Sequence, residues 1–163
     1  MCSLSIKQDF KNDDQYNTPK EAWEMIIPFI PKNVTIWEAF MMGNTSSKSM
    51  DYLSELGCDV VGSPELDFFE NDLGDVIVSN PPYSIKKRIF KRLAELDKPF
   101  ILLLPVSTIT KQFTKLLKRE FIQIIIPDKR IQFIKGENVL KRCWFDTCFL
   151  TYKMNLKNDI TFI

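Results

Sequence analysis

The sequence predicts an α/β domain with a mostly parallel central sheet, helices on both faces and an antiparallel hairpin at the C-terminal end. Three observations carry this. From Val34 to Ile126, short apolar runs alternate with amphipathic helical stretches, the arrangement that right-handed crossovers between parallel strands produce. The run Pro99 to Leu104 is apolar at nearly every position, as in a strand covered on both sides. The last two extended stretches, Arg130 to Ile134 and Phe145 to Tyr152, have no helix between them, which implies antiparallel pairing.

Residues 1–15 are polar and read as a flexible N-terminal arm, and residues 16–163 as a single domain. A helix starts at Thr18-Pro19-Lys20-Glu21, with Thr18 expected to cap, Pro19 in the first helical position and Glu21 completing a capping box. Ala22, Trp23, Ile26, Ile27 and Ile30 follow at helical spacing, and Pro28 and Pro31 close it. Val34 to Trp37 is a buried strand that runs into a loop over 38–44. A helix is expected from about Ser46 to Leu56 with Gly57 as its stop. Asp59-Val60-Val61 is the second strand. Residues 62–74 are too few for a full helix plus a strand. Val76-Ile77-Val78 is the third strand, and Ile85 to Leu96 an amphipathic helix. Beyond the strand that ends at Leu104, a helix is expected from about Ile109 to Arg119 and a strand over Ile122 to Ile126. The two late strands are joined by a polar turn at Lys135-Gly136-Glu137-Asn138.

Composition excludes several kinds of chemistry. The chain has 163 residues, 45% hydrophobic and 26% charged, with a formal net charge of +1, so a nucleic-acid surface must be a local patch. No apolar run approaches the length of a membrane span, and the polar N-terminus holds no secretory core. Cys2, Cys58, Cys143 and Cys148 show no CxxC spacing, which suits a reduced, cytoplasmic protein. There is no histidine. Ser-His-Asp and Cys-His catalysis and His-containing zinc sites are thereby excluded, and no carboxylate cluster suggests a metal.

The most informative stretch is Ser79-Asn80-Pro81-Pro82-Tyr83-Ser84, directly after a buried strand. Its residues suit chemistry on a planar NH2 group. An aromatic amine delocalises its lone pair into the ring and needs acceptors that hold its N–H groups and draw that pair out of conjugation. The Asn80 side-chain oxygen is one acceptor. The Pro81 carbonyl is a second, fixed in direction because Pro81 and Pro82 lock their φ angles. Tyr83 offers a flat face on which a base can stack. Neither histidine nor metal is required, and catalysis rests on positioning and oriented dipoles.

Asn80-Pro81-Pro82-Tyr83 resembles the catalytic tetrapeptide of amino-methyltransferases that use S-adenosylmethionine (SAM). In order along the chain, Tyr16-x-Thr18-Pro19, Glu38-x-Phe40, Asp67-Phe68 and the Asn80 motif resemble small N6-adenine methyltransferase-like proteins of phages and large DNA viruses, over roughly residues 16–152. The resemblance implies a Rossmann-like class I methyltransferase fold and methyl transfer from SAM to the N6 amine of adenine in nucleic acid, DNA in preference to RNA. It implies that Glu38, Phe40 and Gly43 belong to the SAM loop and that Asp67 and Phe68 clamp the SAM adenine. Tyr16, Thr18 and Pro19 would lie over its methionyl end. In the loop, Met41-Met42 stand where small residues belong and Asn44 where a second glycine is expected. After the second strand, Gly62-Ser63-Pro64 replace the usual acid.

Enzymes of this kind usually carry a separate target-recognition region. Here only about Lys135 to Cys143 is available, too little to read a duplex through base edges. Specificity is then low, or a protein partner supplies it, or the substrate is single-stranded or already exposed. Lys86, Lys87, Arg88, Lys91 and Arg92, then Lys111, Lys115 and Lys118, and Lys141 and Arg142 beside Trp144 are the basic residues open to phosphates. Similar motifs also occur in methyltransferases of protein glutamine and of RNA guanine, and the altered glycine loop leaves open a weakened, adaptor-like domain.

Overall fold

The computed structural model describes residues 17–41, 48–110, 112–135, 138–139 and 145–163. In chain order these form α1 (Lys20–Ile26), β1 (Thr35–Trp37), α2 (Lys48–Glu55), β2 (Asp59–Val61), β3 (Val76–Ser79), α3 (Lys86–Leu96), β4 (Phe100–Pro105), β5 (Ile122–Ile126), β6 (Ile134–Lys135), β7 (Asn138–Val139), β8 (Thr147–Tyr152) and β9 (Ile160–Phe162), with short 3-10 turns between. Seven strands make one mixed sheet in the order β2-β1-β3-β4-β8-β5-β9. All run in one direction except β8, which is antiparallel to both β4 and β5.

The period of two along each strand divides the core. Trp37, Ile77, Phe100, Leu102, Leu104 and Leu150 pack on one face with Ile89, Phe90 and Leu93 of α3. Ile36, Val76, Val78, Ile101, Leu103 and Phe149 pack on the other with Trp23 and Ile26 of α1 and Leu53 of α2. Helices therefore cover both faces. β4 is buried along its whole length, and each enclosed Leu or Ile there contributes about 1.5–3 kcal/mol over an exposed one. Among the described residues, no helix is long and apolar enough to cross a membrane. Cys58 and Cys148 are free thiols, and burial pushes the Cys148 thiol up to about 12.

Four sequence expectations are corrected. Thr18 does not cap α1. The cap position is Pro19, with no side-chain hydrogen bond, and the Thr18 hydroxyl faces Asn80 instead. The helix expected over 109–119 is a pair of 3-10 turns, Gln112–Leu116 and Arg119–Phe121. Thr110 donates to the Ser107 carbonyl at 3.0 Å and Thr114 to the Ile109 carbonyl at 3.5 Å, and such local bonds compete with helix formation. Residues 130–134 do not form a sheet strand. Ile131 and Phe133 are buried and Arg130 and Gln132 exposed, but the alternation is used to lay this segment over the α1-side core; only Ile134–Lys135 pairs, with Asn138–Val139. The antiparallel partners of β8 are accordingly β4 and β5, and the chain does not close on the expected hairpin. β9, too short to leave a pattern in the sequence, pairs in parallel with β5. The arm expected over 1–15 lies outside the described residues.

The link between β2 and β3 crosses the end of β1 without a helix, and cations hold it. Arg92 donates to the Asn71 carbonyl at 3.1 Å, and Lys98 to the carbonyls of Leu73 at 2.9 Å and Gly74 at 2.6 Å. Gly74 has φ +58°, and a Cβ on it would lie 2.7 Å from the Thr35 carbonyl oxygen. Gly74→Ala is expected to cost more than about 1 kcal/mol in urea unfolding, since both the left-handed backbone and the contact oppose it. A smaller loss would show that the start of β1 yields freely.

Candidate active site

The chain runs from β1 to β2 on one side, then returns to place β3 on the other side of β1. This reversal opens a crevice at the carboxyl ends of β1 and β3, the usual position of a ligand in such a sheet. Glu38 follows β1 and Asn80 follows β3, so both stand at its rim.

Glu38 is 3% exposed. Its Oε1 accepts hydrogen bonds from the Ser79 hydroxyl and from the Phe40 N–H, the latter at 3.2 Å. Its backbone N–H donates to the Val61 carbonyl at 3.0 Å. Gly62 allows β2 to come this close, for a Cβ there would lie 2.7 Å from the Glu38 carbonyl oxygen. Burial raises the Glu38 pKa to about 7, against the opposing effect of both hydrogen bonds. The carboxyl is thus poised to ionise when a cationic group comes beside it.

Asn80 is held by Thr18, whose Oγ1 accepts from Nδ2 at 3.1 Å. The Thr18 side chain is 2% exposed, and Asn17 exchanges two backbone hydrogen bonds with Ile134, at 2.8 and 2.9 Å. The segment before α1 is thereby fixed over the rim. With Nδ2 engaged, Asn80 Oδ1 is left buried with no hydrogen-bond partner among the described residues. Such an orphaned acceptor costs about 1–3 kcal/mol, a cost that an incoming donor would remove; Trp23 Nε1 and Thr108 Oγ1 are likewise without a partner among the described residues.

Pro81 and Pro82 are buried, and Pro82 has φ −65°. The Tyr83 hydroxyl donates to the Leu103 carbonyl at 3.4 Å. Its ring stands edge-on to Phe145 with centroids 5.6 Å apart, and Phe145 lies 6.3 Å from Phe133. Neither Ser79 nor Phe145 is picked out by sequence reasoning. Ser79 gave one usable signal, a hydroxyl at the end of an otherwise apolar strand; Phe145 gave none, because its approach to Tyr83 is purely spatial.

The other expected residues are placed unevenly. Phe40 is 5% exposed and packs on Phe68 with centroids 4.6 Å apart. Phe68 is fully enclosed, with Trp37 also against it at 5.5 Å, so its ring keeps no open face. Asp67 accepts the Phe69 N–H at 2.8 Å and organises its own turn, while half-buried Phe69 lies under the Arg88 guanidinium at 4.3 Å. Pro19 adjoins Thr18 at the rim. Tyr16 and Gly43, and with them Lys111, Lys141, Arg142 and Trp144, lie outside the described residues. Of the basic residues on α3, Arg92 is spent on the 67–74 loop and Lys87 and Lys91 are exposed. A hollow of about 570 Å³ between Ile27, Val34 and Cys58 is at the amino ends of the strands, remote from this rim. Among the described residues no group of three or more His, Cys, Asp or Glu could hold a metal ion.

No protein-family model matches the chain, and no curated protein matches it.

Glu38→Gln keeps the shape and the hydrogen bonds but cannot ionise. In the native chain the Glu38 pKa lies above its unfolded value of 4.5, so the stability it contributes is fully present below that pH and is lost as pH rises toward about 7. Relative to the native chain, the variant should gain about 3 kcal/mol in unfolding free energy between pH 4.5 and pH 8. Denaturation curves across that range test this; a constant difference would contradict the buried, reluctant carboxyl.

Proposed function

We propose that this protein is a SAM-dependent amino-methyltransferase of Rossmann-like class I fold that acts on the N6 amine of adenine in nucleic acid. The observation that carries the reading is the orphaned Asn80 Oδ1 beside a proline-fixed backbone, across the crevice from a buried carboxyl. An NH2 group entering the crevice gives Asn80 Oδ1 the donor it lacks. The Pro81 carbonyl accepts the amine's second N–H. Together they pull the nitrogen lone pair out of the ring without removing a proton beforehand, which suits a chain that has no histidine. Thr18 acts as a positioning residue, holding the Asn80 amide so that its oxygen and not its nitrogen meets the amine. Tyr83 and Phe145 form an aromatic corner for the base.

Bound SAM supplies an electrophilic methyl group and two positive centres. The residues present fit its charged end. Glu38 is enclosed, its Oε1 accepting from both Ser79 and Phe40, and its raised pKa falls when a cation approaches. Thr18 and Pro19 border the same rim. The adenine end of the expected set fits less well, because Phe68 has no open face and Asp67 is engaged with Phe69. The half-buried Phe69 ring is the better placed aromatic there. Because the stretch of about Lys135 to Cys143 is too short to read a duplex through base edges, single-stranded or exposed substrate suits the chain best, DNA being preferred over RNA.

Asn80→Ala should lower turnover on adenine-containing oligonucleotides by about two to three orders of magnitude (roughly the cost of losing an oriented dipole at the reacting group) while SAM affinity by calorimetry stays within a few-fold. Near-native turnover would remove Asn80 from the mechanism. Tritiated-SAM assays on DNA, RNA and protein in parallel, followed by nucleoside analysis, identify the acceptor; product on guanine or glutamine would move the reading to those substrates. Micromolar SAM affinity supports an enzyme, whereas millimolar affinity or none would make the domain an adaptor. For Tyr83, replacement by Ala should weaken both substrate binding and rate, and replacement by Phe should keep most of each. Equal damage from the two changes would contradict a stacking role.

A further inference from the structure

We propose that the groove between α1 and residues 129–134 is a subsite for the nucleotide next to the target base in a single strand. The inference rests on reading the crevice as a nucleic-acid active site, and it explains how this domain could grip a strand. The groove has a volume of about 360 Å³, within the range of small-molecule sites. Pro19, Met25 and Ile131 form its apolar floor; Lys129, Arg130 and Gln132 form a polar lip on one side, and the exposed Glu21 of α1 lines the other, so a phosphate would have to sit on the Lys129 side.

Its position is fixed by contacts to the catalytic rim at both ends. Pro19 is the neighbour of Thr18, which holds Asn80. Arg130 pairs with Asp146 at 2.6 Å, and the Asp146 carbonyl accepts from the Val106 N–H at 2.9 Å, directly beyond β4. The Pro19 and Arg130 end of the groove therefore lies toward the carboxyl ends of the strands, on the side of the rim that carries Thr18 and Asn80, and the groove runs from there along α1 to Met25.

Its chemistry matches a nucleotide. The alternation that buries Ile131 and Phe133 anchors this segment and turns Arg130 and Gln132 outward. Lys129 is exposed and makes no ion pair among the described residues, so it can take a phosphate. Arg130 meets Asp146 Oδ1 through both Nε, at 2.8 Å, and a terminal nitrogen, at 2.6 Å, so it stays engaged with its carboxylate and Lys129 is the cation of the lip offered to a phosphate. The apolar floor supplies a surface for a base, and the Gln132 amide offers both a donor and an acceptor to its edge.

The test uses the full chain and a short fluorescein-labelled single-stranded DNA with one adenine, followed by anisotropy at stepped salt. An abasic site is placed on either side of the adenine in turn. At one of the two positions it should weaken binding about tenfold, the loss of one base–protein contact. Lys129→Ala should reduce the slope of log affinity against log salt by about 0.7, the loss of one phosphate contact to a single strand. Gln132→Ala should relax the preference for the neighbouring base, and Lys157→Ala, exposed between β8 and β9 and away from the rim, should change nothing. No binding by the native chain, or binding indifferent to both abasic positions and to Lys129→Ala, would overturn the subsite. Methyl transfer to the same oligonucleotide is scored in parallel. Transfer with indifferent binding removes the subsite and leaves the transferase reading standing; sensitive binding without transfer does the reverse.

Discussion

The hydrogen bond from Ser79 to Glu38 joins the carboxyl ends of β1 and β3 at the point where the sheet reverses its order. The site depends on that junction. It keeps a carboxyl enclosed where burial alone would expel it, and it brings the residue after β3 into register with the residue after β1. A buried acid is tolerable only when its oxygens are satisfied or its proton is retained, and here both conditions operate. Ser79 and the Phe40 N–H satisfy Oε1, and the raised pKa keeps the proton on for much of the population near neutrality. The wall of the crevice thus carries a carboxyl that burial keeps largely protonated.

The second constraint is geometric. Three segments far apart in sequence converge on residues 79–83: the stretch before α1 through Thr18 on Asn80, the exit of β1 through Glu38 on Ser79, and the region before β8 through Phe145 on Tyr83. None of these is long. β1, β2 and β9 are three residues each, and the link between β2 and β3 has no helix of its own. Arg92 and Lys98 replace that missing helix by donating to successive carbonyls. The charges on α3 that invite a phosphate-binding reading are partly spent in this way.

Much of the architecture was legible because burial writes itself into period and run length. The apolar run of β4 and the spacing of Ile89 and Leu93 each admit one reading, and the Asn80 motif stood out because an amide between a buried strand and two prolines has few structural uses. What was not legible arose from competition between segments. Ile131 and Phe133 alternate like a strand, yet β8 and β9 occupy both edges of β5 and leave no room for a ladder there. Thr18 has every local mark of a helix cap, but the pull of Asn80 across 62 residues of sequence is stronger than its local bond. Phe68 looks like a cofactor clamp beside Asp67, and the aromatic cluster with Trp37 and Phe40 draws it inward.

The antiparallel placement of β8 has a consequence for biosynthesis. β4 and β5 never touch as ladder partners; each pairs with β8, which is made after both. Until residue 152 has left the ribosome, the most apolar strand of the protein presents a bare edge, and the growing chain cannot seal its own centre. Such late closure by non-local pairing is slow and leaves sticky surface on view. Nascent copies of this protein should therefore be natural clients of the chaperones that shield hydrophobic strands during translation.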